Sequence, residues 1–74
     1  MQVTVKLFAT FRRDRFEVAT LERPEGETLA QLLESLSIPP PELGFVLVGG
    51  RHAELGDRFR AGDTIAIFPK VGGG

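Results

Sequence analysis

Polar and apolar residues alternate at the start of the chain. Val3, Val5 and Leu7 share one phase, and Thr4, Lys6 and Phe8 the other. A period of two predicts a half-buried strand. Arg12-Arg13-Asp14-Arg15 is polar and reads as a solvated connecting loop. Phe16 to Leu21 is again rich in strand formers and ends at the turn Arg23-Pro24-Glu25-Gly26. The period then changes. Leu29, Leu32, Leu33 and Leu36 fall at i, i+3, i+4 and i+7, the apolar stripe of a helix. Thr28 with Gln31 predicts a capping box, in which each side chain satisfies a free backbone N–H of the first turn. Pro39-Pro40-Pro41 cannot continue a helix, so the helix is expected from Thr28 to Ser37.

Phe45-Val46-Leu47-Val48 is apolar in both phases and predicts an inner strand. Gly49-Gly50 permits the positive φ angles of a tight hairpin turn, and Arg51 to Glu54 is the short return strand. Leu55 to Gly62 is a turn-rich connection, anchored by Leu55 and Phe59. Thr64 to Phe68 is the last strand, with Ile65 and Ile67 on one face and Pro69 closing it. The order is hairpin, helix, strand, short strand, strand. One helix must then cover one face of a mixed sheet to bury its leucines. The simplest such arrangement is the α+β β-grasp, or ubiquitin-like, fold: four to five strands on one main helix. In that fold the first and last strands are parallel neighbours. Residues 1–69 are expected to form the domain and residues 70–74 a flexible tail.

The chain's 74 residues suffice for one domain. A chain this short buries only about 60% of its unfolded surface, so the core must be efficient. A net charge of −1 supplies no electrostatic pull toward nucleic acid or acidic lipid, and neither is an expected partner. There is no cysteine, which excludes a disulfide framework, an iron–sulfur cluster and a thiol nucleophile. Met1 to Lys6 has no signal-peptide-like apolar run, and no segment is long enough to span a membrane; a cytoplasmic protein is expected. Paired carboxylates, a nucleophile motif and a phosphate loop are all missing, so no bound cofactor, no metal and no intrinsic catalysis are expected. His52 has no partner at ligand spacing and reads as a surface residue. Asp63, after Gly62, is expected to bond backbone N–H groups within a turn.

The chemical feature is the ending, Phe68-Pro69-Lys70-Val71-Gly72-Gly73-Gly74. Glycines add nothing to a core and are costly to order. Seen alone they read as a frayed end. A terminal carboxylate has another use. Joined to AMP it gains a good leaving group that a sulfur nucleophile can displace. That chemistry requires the last residue to enter a partner's buried site, and glycine lets the backbone pass through a narrow channel. Lys70 to Gly74 reaches about 17 Å when extended, at ~3.4 Å per residue.

The segment Arg60 to Gly74 runs from a Gly-Asp turn through a short apolar strand and Phe-Pro to a Gly-Gly end. With Val5-Lys6-Leu7-Phe8-Ala9-Thr10-Phe11-Arg12 and Val46-Leu47-Val48-Gly49-Gly50-Arg51, it resembles the MoaD/ThiS family of ubiquitin-like sulfur carriers, the MoaD branch more than ThiS. The resemblance covers nearly the whole chain. It implies that a ubiquitin-activating-enzyme-like adenylyltransferase, using ATP and Mg²⁺, activates the Gly74 carboxylate. Sulfur from a persulfide protein then makes a thiocarboxylate. The carrier delivers it to an acceptor such as the large subunit of molybdopterin synthase, for molybdopterin or the tungsten cofactor. Gly73, Gly72, Val71 and Lys70 would thread the partner's channel. Lys70 stands where relatives often have proline, and Gly72 where they have a larger residue. A ThiS-like role in making the thiazole of thiamine, sulfur donation to cysteine or another metabolite, and conjugation to proteins through Gly74 are alternatives. A β-grasp RNA-binding module is disfavoured by the near-neutral charge.

Phe8 and Phe68 lie out of phase with the core residues of their strands. If those strands are parallel neighbours, both rings share one end of the outer face, beside the tail. With Pro69 they are expected to form a docking patch.

Overall fold

The computed structural model describes residues 1–70 of the chain. Its elements are β1 (Gln2–Leu7), β2 (Val18–Glu22), α1 (Leu29–Ser35), β3 (Leu43–Val48), β4 (Arg51–Ala53) and β5 (Thr64–Pro69). Short 3-10 turns occupy Ala9–Arg12 and Pro40–Glu42. The five strands form one sheet in the order β2-β1-β5-β3-β4. β1 and β5 pair in parallel, Val5 against Ile65 and Leu7 against Ile67; the other pairings are antiparallel. This is the expected ubiquitin-like β-grasp, with one helix on a mixed sheet.

The alternation read from the sequence assigns the faces. Val3, Val5 and Leu7 of β1 and Ile65 and Ile67 of β5 are buried. They pack in one cluster with Leu29, Leu32 and Leu33 of α1. Truncating one such leucine to alanine costs about 2–5 kcal/mol, because the cavity left behind adds to the lost transfer energy. Phe59 is buried in the same cluster, and Leu55 packs against it from the edge, so both expected anchors serve as such.

α1 begins with the predicted capping box. The Gln31 N–H donates to Thr28 Oγ1, and the Thr28 N–H donates to Gln31 Oε1 at 2.9 Å. The helix is shorter than expected, ending at Ser35 rather than Ser37. The prolines do not stop it. Ser37 turns left-handed (φ 59°), its N–H donates to Glu34 O, and the Ile38 N–H returns to Leu33 O. This is a Schellman closure with serine in the position glycine usually takes, and buried Ile38 and Leu33 complete its apolar contact.

The basic loop also differs from expectation. Arg15 is not simply solvated. Its guanidinium donates to the carbonyls of Leu36 (Nε, 2.9 Å), Ser37 (Nη2, 2.9 Å) and Phe11 (Nη1, 3.3 Å). A cation thereby satisfies carbonyls at the C-terminal end of α1, where the helix dipole favours positive charge. Arg12 donates to Leu7 O at 2.8 Å.

β2 starts two residues later than read, at Val18 rather than Phe16; Phe16 packs against the core from the loop. β4 ends at Ala53, and β5 runs one residue further, to Pro69. The Gly49-Gly50 turn has φ of 57° and 82°, the doubly positive pattern of the tightest hairpins. Asp63 takes its structural role, its Oδ2 accepting the Arg60 N–H at 2.8 Å. Glu27 is buried, and its carboxylate accepts both Nε (2.8 Å) and Nη2 of Arg23. These bonds hold the Arg23 guanidinium above its ordinary pKa.

Candidate functional site

The parallel pairing of β1 and β5 brings together residues that the sequence singles out. Leu7 lies beside Ile67, so Phe8 and Phe68, each one residue further on, emerge together at one end of the sheet. With core residues on the inner face, both rings project from the outer one. Their centroids are 4.1 Å apart and their planes differ by 10°. β3 supplies a third ring. Phe45 pairs with Phe68 across the antiparallel ladder, and these rings stack at 4.4 Å and 14°. His52 on β4 adds a tilted fourth member, 5.3 Å from Phe45. Arg12 closes the other end, its guanidinium carbon 5.4 Å from the Phe8 centroid, within cation–π range.

The ladder therefore runs Arg12–Phe8–Phe68–Phe45–His52 across four of the five strands' ends. Phe8 and Phe68 are half-buried, while Phe45 is 37% exposed. A shallow apolar cavity of about 340 Å³ opens over it, lined by Phe8, Ala9, Thr10, Phe45, Phe68, Pro69 and Lys70. A larger cavity of about 490 Å³ lies beside α1, between Leu33, Leu55 and Pro39-Pro40, and shares no residue with the ring face.

The chain leaves the sheet at the same place. Pro69 pairs with Leu43 at the start of β3, and the Lys70 N–H donates to Glu42 O at 3.1 Å. Lys70 is thus still bonded to the body of the domain. Val71, Gly72, Gly73 and Gly74 lie outside the described residues. Of the site residues expected from the sequence, the structure brings Phe8, Phe68, Pro69 and Lys70 together.

Sequence reading missed two residues here. Phe45 belongs to an apolar run with no phase of its own, and only its pairing with Phe68 turns it outward. Gly44 precedes it in β3, where glycine inside a strand is a known sign of close backbone approach. A Cβ built on Gly44 would lie 2.5 Å from Pro69 O and 3.0 Å from Phe68 O.

Among the described residues no helix is long and apolar enough to cross a membrane. Nor do they hold a group of three or more histidine or acidic side chains placed to bind a metal.

Similarity to known proteins agrees with this geometry. SAMP1 from Haloferax volcanii is 26% identical, with a TM-score of 0.78 and full coverage of both chains. A putative molybdopterin converting factor subunit 1 from Pyrococcus furiosus is 24% identical, with a TM-score of 0.77 over 96% of this chain and 99% of that one. A protein–protein complex of subunits 1 and 2 of molybdopterin-converting factor from Helicobacter pylori matches at 20% identity and a TM-score of 0.67, with full coverage of both chains. The last two likenesses establish shared fold alone. A search of curated protein sequences gave no match. The sequence model of the ThiS family matches residues 5–74, nearly the whole chain. The chain belongs to the ThiS family, within the MoaD/ThiS-type proteins of ubiquitin-like fold.

Proposed function

We propose that this protein is a sulfur carrier whose terminal Gly74 carboxylate is activated and converted to a thiocarboxylate. The observation that carries the reading is the aromatic ladder beside the tail root. One end of the sheet combines an apolar docking face with the point of exit of a chain whose last residues are glycines. A partner that grips the rings holds the tail's origin at a fixed distance from its own active site.

The chemistry follows from the carboxylate. A Gly74 oxygen attacks the α-phosphorus of ATP in an adenylyltransferase of the ubiquitin-activating type, releasing pyrophosphate and leaving an acyl adenylate. Mg²⁺ on the partner offsets the phosphate charge. The terminal sulfur of a persulfide protein attacks the acyl carbon and AMP departs. A second thiol cleaves the resulting acyl disulfide, supplying the electron pair that leaves the thiocarboxylate. Threading through Lys70, Val71, Gly72 and Gly73 brings the reacting carbon to each partner in turn. The favoured acceptor is the large subunit of molybdopterin synthase, in molybdopterin or tungsten-cofactor synthesis. The likeness to a molybdopterin-converting factor solved as a complex of its subunits 1 and 2 supports that choice.

A second reading has its own support. SAMP1 is described in a further structure as a small archaeal modifier protein. The same acyl adenylate, attacked by a lysine amine instead of sulfur, would give an isopeptide bond through Gly74.

Incubation with an activating enzyme, ATP, Mg²⁺ and a persulfide donor tests the first reading. Intact mass should report exchange of one oxygen for sulfur, mapped to Gly74. A ladder of lysine conjugates with no thiocarboxylate would favour the second.

A further inference from the structure

We infer that Gly44 is a positioning residue for the C-terminal tail, because its missing side chain lets β3 lie against the Phe68-Pro69 backbone and so sets where Lys70 leaves the sheet. This rests on the sulfur-carrier reading above.

Three contacts fix that exit. Phe68 is held from its outer face by Phe8 and Phe45. Pro69 pairs with Leu43, and Lys70 bonds to Glu42 O. Between these, the ladder register shifts at Leu43/Phe45, which places Gly44 against the last peptide of β5. An added Cβ would meet Pro69 O at 2.5 Å and Pro69 C at 2.8 Å, against the ~3.5 Å of an ordinary contact. Every atom it meets is backbone, so no side-chain rotation relieves the overlap. Either β3 backs away or the Phe68–Lys70 segment shifts, by about 1 Å.

Such a shift matters because of the length that follows. Four residues remain after Lys70, and fully extended they span about 14 Å. A tail used near full reach has no slack to absorb a displaced origin. The ring ladder decides how well a partner is gripped. The Gly44 contact decides where the reacting carbon arrives. Gly44 therefore governs turnover more than binding.

The test compares wild type, Gly44→Ala and Gly56→Ala in ATP–pyrophosphate exchange with a ubiquitin-activating-type adenylyltransferase. Gly56 is the control, since a Cβ there meets nothing within 4 Å. Gly44→Ala should lower kcat roughly tenfold or more while KM changes by about twofold at most, because a misplacement near 1 Å is costly to chemistry alone. Gly56→Ala should match wild type. A third variant carries one extra glycine between Gly72 and Gly73. It leaves residues 1–70 unchanged in sequence, should also lower kcat with KM preserved, and still tests the premise that the tail's reach sets turnover if Gly44→Ala unfolds. A rise in KM with kcat intact, unchanged kinetics in a folded Gly44→Ala, or unchanged kinetics in the extended-tail chain overturns the inference. Absence of exchange with wild type overturns the carrier reading itself, and this inference with it.

Discussion

Phe8 and Phe68 stack at 4.1 Å although sixty positions separate them along the chain, and the parallel pairing of β1 with β5 is what brings them together. The stack joins the first strand to the last just where the chain leaves the sheet. The ring stack and the end of β5 are parts of one structure.

Phe68 touches a ring on each side, while Phe8 and Phe45 are each stacked on Phe68. A stacked aromatic pair contributes about 0.5–1.5 kcal/mol beyond area burial. Phe68→Ala should therefore destabilise by about twice the stacking loss of Phe45→Ala, read as a fall in urea midpoint with an unchanged m-value. Partner affinity should rank differently. Phe45, the most exposed ring of the three, should lose at least tenfold in affinity by calorimetry for a stability cost of about 1–2 kcal/mol. Unchanged binding by Phe45→Ala would remove the docking role.

Arg15 gathers three carbonyls from two separate segments. Arg15→Met should cost about 1–3 kcal/mol in chemical denaturation, the range for hydrogen bonds to a charged group left unmade. Arg15→Lys should recover less than half of that, since one ammonium cannot reproduce the fork. Neither variant should alter partner binding. Full rescue by lysine would show that charge alone acts there.

Ser37 stands in the left-handed region at the end of α1, which costs a non-glycine residue about 1 kcal/mol. Ser37→Gly should stabilise the domain by up to that amount, visible as a higher urea midpoint. A loss of stability would mean that the serine itself contributes to the closure.

Glu27 is buried, with its side chain 4% exposed, and is bonded to Arg23. Glu27→Gln should destabilise by about 1–3 kcal/mol in chemical denaturation, because it weakens the bonds of a buried carboxylate to a guanidinium that solvent partly reaches. Replacing both with apolar residues of similar volume should cost less than the single change.

The periodic parts of this fold were open to a reader of the sequence. Strand alternation in Val3-Val5-Leu7, the four-leucine stripe and the Thr28–Gln31 box are local signals, and each corresponds to an observed element. Most of the features that escaped are non-local. Arg15 looked solvated because its carbonyl partners at Leu36 and Ser37 lie more than twenty residues away. The prolines alone predict a helix end at Ser37, while the Schellman closure at Ser37 acts first. Phe45 could not be oriented within an all-apolar run, whereas Phe8 and Phe68 could, since their strands alternate. Gly44 mattered only once the Phe68-Pro69 backbone was laid against it.

The most direct measurement is top-down mass spectrometry of the protein recovered from its own cells, as the full chain and with Gly73 and Gly74 deleted. The full chain should carry sulfur in place of one terminal oxygen, and the shortened chain should fold, as its circular dichroism would show, yet carry none. A full chain that always ends in an ordinary carboxylate, or a shortened one that still sustains the cell's sulfur-dependent synthesis, would contradict the carrier role.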